Sequence, residues 1–313
     1  MIEKFALSVA MREVVRLAER VSATDANVLI TGESGTGKDT LASFVHARSP
    51  RADAPLVKID CAALPSELLE AELFGYERGA FTGATEARPG RLEAAHKGTL
   101  VLDEIAHLSV DAQAKLLRVI EEREFERLGG RRTVKVDARL IALTNVDLDD
   151  AVKRRAFRED LFYRLNVVRL HVPPLRDRRE DVENLAQSFL KTYAAKHGRT
   201  VKAFTPEVLL ILKSYEFPGN VRELANTIER AVIVAQDSKI QASDLPEALR
   251  AAVSLKRGAK SRRTLAELEM DYIRETLKAT GGNKTEAARL LGISRKNLYE
   301  KLKKQGGGMR DEG

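Results

Sequence analysis

The chain has 313 residues, 43% of them apolar and 32% charged, with a formal net charge of +7. That balance describes two or three globular domains and excludes a collagen-like or wholly disordered chain. No apolar run approaches the roughly 20 residues of a membrane helix, Arg12 and Glu13 come too soon for a signal peptide, and Cys61 is the single cysteine, so a cytoplasmic chain without disulfide or membrane contact is expected.

In chain order, helical spacing of Val14, Val15, Ala18 and Val21 predicts a helix over 11–21. A short β-branched run at 28–31, stopped by Gly32, predicts a strand, and similar runs recur at 56–59, 99–102, 140–144 and 167–172. Helical patterns at 66–73 and 111–122 lie between them. Alternation of strand and helix points to an α/β fold with a parallel sheet over 1–172. After Pro173 and Pro174 three helices are predicted at 181–197, 205–215 and 220–235, with no strand signal, giving a helical subdomain over 173–250. Residues 251–263 are charged and lack apolar periodicity, which marks a linker. Three short helices follow at 265–279, 284–291 and 295–304, forming an all-α domain over 264–305 with a tail at 306–313.

Gly32-Glu33-Ser34-Gly35-Thr36-Gly37-Lys38 reads G-x-x-x-x-G-K between a strand and a helix, the context of a phosphate-binding loop. Its glycines let backbone N–H groups turn toward phosphate oxygens, the following helix presents its positive end, and Lys38 reaches the terminal phosphates. Asp39 stands where a Ser or Thr hydroxyl usually holds magnesium, and is at most a weak Mg2+ ligand; Thr40 follows it. Thr40 also occupies the place of the third glycine of a dinucleotide fingerprint, which excludes that motif. A phosphate loop needs a partner acid at the end of a buried strand, and 99–104 supplies Asp103 and Glu104. Asp103 would hold Mg2+ through water and Glu104 would polarise the water that attacks the γ-phosphate of ATP. At another strand end Thr144 and Asn145 could sense that phosphate or orient the water.

Beyond these, Gly79-Ala80-Phe81-Thr82-Gly83-Ala84, preceded by Glu72-Leu-Phe-Gly75, spells the hexapeptide GAFTGA. With the segments 116–120, 125–130, 157–161, 163–165, 174–176 and 218–224 it resembles the central domain of bacterial sigma-54-dependent transcription activators, the enhancer-binding branch of the AAA+ ATPases. The resemblance covers roughly residues 9–249 and implies an ATPase ring, hexameric in form, with ATP between subunits. By motif position it implies that Arg158 and Arg164 reach the neighbour's site, that Arg222 is the second sensor and Thr144-Asn145 the first. Phe81 and Thr82, on a loop hinged by glycines, would touch the sigma-54 RNA polymerase holoenzyme.

Two positions depart from the family. Asp39 replaces a common Glu, and Asp60 stands where the family usually has an Asn that restrains the catalytic Glu. An Asp cannot donate amide hydrogen bonds, and beside Glu104 it would add like-charge repulsion. With the phosphate loop opening at Gly32, the regulatory domain most such activators carry is not expected in this sequence, and control would fall to a regulatory protein acting in trans or to abundance.

From Ser254 onward fifteen Lys and Arg face eight Asp and Glu, so the whole excess charge sits in the last sixty residues. Asn283 followed by Glu286 predicts a capped helix containing Ala287, Ala288, Leu290 and Leu291; Gly292 ends it and Ser294 caps the next. This is a helix-turn-helix, similar to the Fis type. Leu298 and Leu302 share its inner face, leaving Arg295, Lys296, Asn297, Tyr299 and Lys303 for upstream enhancer DNA, bound as a dimer. The competing readings are a DNA-binding regulator whose ATPase-like core serves only oligomerisation or ligand sensing, and an AAA+ remodeller of replication or repair. Intact Lys38, Asp103, Glu104 and GAFTGA argue against the first, and the GAFTGA loop would have no purpose in the second.

Overall fold

A computed structural model describes residues 8–251 and 265–306. The chain divides into two compact units, the first ending at Arg250 and the second beginning at Ala251. The linker expected at 251–263 lies, apart from Ala251, outside the described residues, as does the tail beyond Gly306. No described helix is long and apolar enough to cross a membrane.

The first unit is built on strands β1 (Val28–Thr31), β2 (Leu56–Asp60), β3 (Thr99–Asp103), β4 (Arg139–Thr144) and β5 (Val168–His171). They form one sheet in the order β2-β3-β4-β1-β5, with every pair parallel. Helix α1 (Val9–Ser22) precedes β1; parallel strands need crossovers, and α2 (Lys38–Ala47), α3 (Ser66–Phe74), α4 (Arg91–Ala94), α5 (Val110–Glu122), α6 (Leu148–Lys153) and α7 (Glu159–Leu165) supply them. Successive strand residues face opposite sides. Val28, Ile30, Val101 and Ile141 pack with Met11, Val15, Ala18, Leu41 and Val45 from α1 and α2. Leu29, Leu100, Leu102 and Leu140 meet Leu73, Leu116, Leu148 and Leu161 on the other face. Burial on both faces explains why these strands read as continuous apolar runs.

The helix predicted at 11–21 begins two residues earlier because Ser8 caps it, its Oγ accepting from Met11 N at 3.3 Å. Its other end is closed from the sheet: the guanidinium of fully buried Arg139 donates to the carbonyls of Val21, Ser22 and Ala26.

Past β5 come α8 (Glu180–Lys196), α9 (Pro206–Ser214) and α10 (Asn220–Val234), the expected helices with ends moved by a residue or two. One expectation fails here: Ala203–Phe204 pairs in parallel with Lys239–Ile240, although no strand is predicted in this region. Two residues are too few to create a period. For the same reason the two-stranded pairs Gly75–Tyr76 with Arg88–Pro89 and Glu124–Glu126 with Thr133–Lys135 leave no sequence signal.

The second unit holds α11 (Leu265–Ala279), α12 (Lys284–Leu290) and α13 (Arg295–Gly306) around Ile273, Ala287, Ala288 and Leu298. Asn283 caps α12 through Oδ1, which accepts from Thr285 N and Glu286 N, while Glu286 pairs with Arg289. Gly292 takes a φ of 66°, turning the chain, and Ser294 Oγ accepts from Asn297 N to open α13. Leu290 lies in the predicted helix but is 60% exposed, outside the seam that Ala287, Ala288 and Leu291 fill.

Candidate active site

The carboxyl ends of β1, β3 and β4 lie side by side, and a ligand cleft opens at such ends. Thr31 is followed by the turn Gly32 to Gly37, in which Gly32, Gly35 and Gly37 have φ of 147°, 75° and 101°. Gly37 occupies the N-cap of α2, so the helix starts with its N–H groups facing the loop. Lys38, 6% exposed, folds back so that Nζ donates to Gly32 O at 2.9 Å and lies 3.8 Å from Glu104 Oε1.

Asp103 and Glu104 end β3. Glu104 has a φ of 50°, a left-handed conformation costly for any residue with a Cβ and most often retained at functional sites. Its Oε2 accepts from Asn145 N at 3.1 Å, which ties the end of β3 to the end of β4. Thr144 is fully buried and exchanges hydrogen bonds with Val146, whereas the Asn145 side chain is exposed. Asp103 has its carboxyl pushed above the ordinary range, first by burial and then by the charges of Asp39, Glu104 and Asp60. Crowded negative charge of this kind is what a divalent cation relieves, so the acids present fit one. Among the described residues no group of three His, Cys, Asp or Glu could hold a metal alone.

Asp39, in the first turn of α2, pairs with Lys58 Nζ at 2.6 Å. Asp60 sits opposite Asp103 in the strand register and accepts from Ala62 N at 2.9 Å. Its charge falls on Asp103 and on Cys61, whose buried thiol is pushed up to about 12.

A cavity of ≈ 230 Å³ is lined by Gly35, Gly37, Lys38, Asp39, Thr40, Asp103 and Glu104, and on its other wall by Phe189, Val221, Arg222 and Ala225. Arg222 Nη1 donates to Ser34 Oγ at 2.9 Å. One wall is therefore polar and phosphate-sized and the other apolar, as a nucleotide requires. Arg158 and Arg164 do not line it. Both belong to the α7 region: Arg158 forks onto Asp160 and Arg164 pairs with Glu121 at 2.9 Å.

The segment Gly79 to Ala84 closes on itself, with Gly79 N donating to Ala84 O at 2.8 Å and Ala84 N to Phe81 O at 3.0 Å. Phe81 and Thr82 are exposed at its tip, and the Phe81 ring meets Tyr76 edge-on at 5.0 Å. Ala80 rests on Gly129, where even a Cβ would clash. In the second unit Arg295, Lys296, Asn297 and Tyr299 are exposed on α13, and Tyr299 lies under Lys284 Nζ at 4.8 Å and near the Arg295 guanidinium. The Lys303 side chain is outside the described residues.

Residues 5–171 match the family Sigma-54 interaction domain, residues 176–262 the AAA+ ATPase lid domain, and residues 264–304 the Bacterial regulatory protein, Fis family. The chain belongs to the sigma-54-dependent transcriptional activators. Regulatory protein AtoC of Escherichia coli (strain K12) is 47% identical over 307 residues, covering 96% of this chain and 67% of its own. Transcriptional regulatory protein ZraR of Salmonella typhimurium is 48% identical over 295 residues, covering 94% and 67%. The crystal structure of NtrX from Brucella abortus in complex with ATP matches with a TM-score of 0.70 at 37% identity, over 96% of this chain and 68% of that one.

This sigma-54 activator is thus an AAA+ ATPase with a Fis-type DNA-binding helix-turn-helix. Its site contains residues that the sequence pattern does not single out. Glu33 is gripped by Arg176 through both guanidinium nitrogens and by Asn220 Nδ2 at 3.1 Å, which holds its carboxyl down at about 2. Arg178, 5% exposed, donates to Thr36 O at 2.6 Å. Arg176 and Asn220 fall within segments shared with the family, the one available signal. Nothing local marks Arg178, Lys58 or Phe189.

Proposed function

We propose that the activator binds upstream DNA through α13, assembles a hexamer-type ring in the cytoplasm, and hydrolyses ATP between protomers to remodel the sigma-54 polymerase closed complex. The single observation that carries the reading is the convergence of Lys38, Asp103 and Glu104 with Asn145 N at one cleft faced by Arg222. Lys38 and the phosphate-loop residues Gly32 to Thr40 bind and orient the phosphates, and Arg222 reaches them from α10. Phe189, Val221 and Ala225 offer an apolar face to the base. Mg2+ would neutralise phosphate charge, held by Asp103 through water with Asp39 as the weaker partner.

Glu104 takes the proton of the attacking water. Its Oε2 is aimed by Asn145 N, and Lys38 Nζ lies 3.8 Å from Oε1. With Asp at position 60 in place of an amide, the restraint on Glu104 passes to Asn145 and Thr144, the first sensor. Arg158 and Arg164 act on the neighbouring protomer. Their pairs with Asp160 and Glu121 are exposed, and solvent-screened pairs of this kind are weak, so release on assembly costs little. An arginine supplied in trans is worth about 10³ to 10⁵ in rate, which makes turnover depend on the ring. Gly79 to Ala84 carries the motion outward, with Phe81 and Thr82 as the contact to sigma-54.

The test compares ATP hydrolysis and sigma-54 open-complex formation for the parent, Lys38→Ala, Glu104→Gln and Thr82→Ala. The first two lose both activities; Thr82→Ala keeps hydrolysis and loses activation. Activation by Thr82→Ala equal to the parent would remove the loop from the mechanism.

A further inference from the structure

Three consecutive carbonyls of the phosphate loop are held by donors from beyond β5. Ser34 O accepts from Asn220 Nδ2 at 3.0 Å, Gly35 O from Arg222 N at 3.2 Å, and Thr36 O from Arg178 Nη2 at 2.6 Å. A trans peptide is planar, with the C=O of one residue antiparallel to the N–H of the next. Tying these carbonyls on the side of α10 therefore turns the N–H groups of Gly35 and Gly37 the opposite way, while Thr36 N donates within the loop to Glu33 O at 3.4 Å. A phosphate loop works by presenting such N–H groups to anionic oxygens.

The donors are built for this task at a cost to the fold. Asn220 is fully buried and has a φ of 53°, a conformation Asn tolerates better than most residues. Its Oδ1 accepts from Leu175 N at 2.8 Å while Nδ2 spans Ser34 O and Glu33 Oε2, so one amide joins the segment after β5, α10 and the loop. Arg178 is buried with its Nε lacking a partner, although Nη2 is well placed on Thr36 O. Gly35 approaches so closely that a Cβ there would overlap Gly219 O.

We propose that Asn220 and Arg178 are positioning residues for ATP: they hold the phosphate-loop carbonyls outward, so that docking of the helical subdomain on the loop becomes a condition of phosphate binding. They touch no phosphate themselves. The proposal rests on the reading of the loop as the ATP site.

The experiment measures steady-state ATP hydrolysis and thermal unfolding without nucleotide for the full chain, Asn220→Asp and Asn220→Gly, with Lys38→Ala as comparator. Asn220→Asp keeps the acceptor for Leu175 N but cannot donate to Ser34 O. Asn220→Gly relieves the backbone and adds no charge. The expected result is a KM for ATP raised at least tenfold in both variants, with kcat at saturation within threefold of the parent and both proteins folded at the assay temperature. A KM equal to the parent's in either variant overturns the proposal. So does failure of both to fold, which would assign Asn220 to structure alone. If Lys38→Ala hydrolyses ATP as the parent does, it is the site reading that fails.

Discussion

Glu33 stands on the outer edge of the phosphate loop, and its carboxyl is held at about 2 by hydrogen bonds from Arg176 first and Asn220 second. A carboxylate depressed from its ordinary value of 4.5 contributes stability that is complete above that value and is lost as pH falls toward 2. Since both partners are partly exposed, the contribution is about 0.5–1 kcal/mol at most. Glu33→Gln should therefore melt slightly below the parent at pH 7, and the gap should narrow between pH 5 and pH 3. Melting curves at matched ionic strength check this; a constant gap would mean that the charge of Glu33 is not what matters. Arg139 poses the opposite case, a guanidinium wholly out of water whose three carbonyl partners close α1. Arg139→Met leaves those carbonyls unpaired and should cost about 2–4 kcal/mol, read as a lower urea midpoint with an unchanged slope. Arg139 is not legible in the sequence, because one arginine among many carries no mark of where the fold will put it. Lys38, Asp103 and Glu104 are legible because a glycine loop and a strand end fix their positions before any tertiary contact forms.

The sheet strands and the longer helices could be read from apolar periodicity because each is buried along a whole face, as Leu29 and Leu100 on one side and Val28 and Val101 on the other illustrate. Elements held by only two residue pairs, such as Gly75 with Pro89 and Tyr76 with Arg88 at the base of the Phe81 loop, depend on neighbours distant in sequence and could not. The phosphate loop shows how glycines within one element differ. A Cβ on Gly37 would meet nothing within 4 Å, yet its φ of 101° is one that other residues rarely adopt. Gly35 combines a φ of 75° with direct contact to Gly219 O. Gly37→Ala should thus weaken ATP binding at least tenfold, about 1.4 kcal/mol, while leaving the thermal midpoint without nucleotide within a few degrees. Gly35→Ala should lose both ATP affinity and several degrees of stability, because the α10 contact opens as well. Equal midpoints for the two variants would show that the approach of α10 contributes nothing to the loop.

At the scale of the whole chain, the first unit carries the nucleotide site and the second carries the excess of positive charge. Charge of this kind acts through counterion release: each phosphate neutralised by a Lys or Arg returns a condensed cation to solution, so the logarithm of DNA affinity falls linearly with the logarithm of salt. Lys296 is exposed at the start of α13, next to Arg295, which is engaged with the Tyr299 ring. Lys296 thus has the freer ammonium for a phosphate, and Arg295 with Tyr299 forms the more rigid surface for a base edge. Lys296→Ala should lower the salt slope by about one for each protomer bound and weaken all sequences alike. Arg295→Ala should instead relax discrimination between sites. ATP turnover without DNA should be the parent's in both, since the cleft is lined wholly by residues of the first unit. A fall in turnover for Lys296→Ala would mean that the basic helix acts on the nucleotide site, and the separation of DNA recognition from hydrolysis would have to be abandoned.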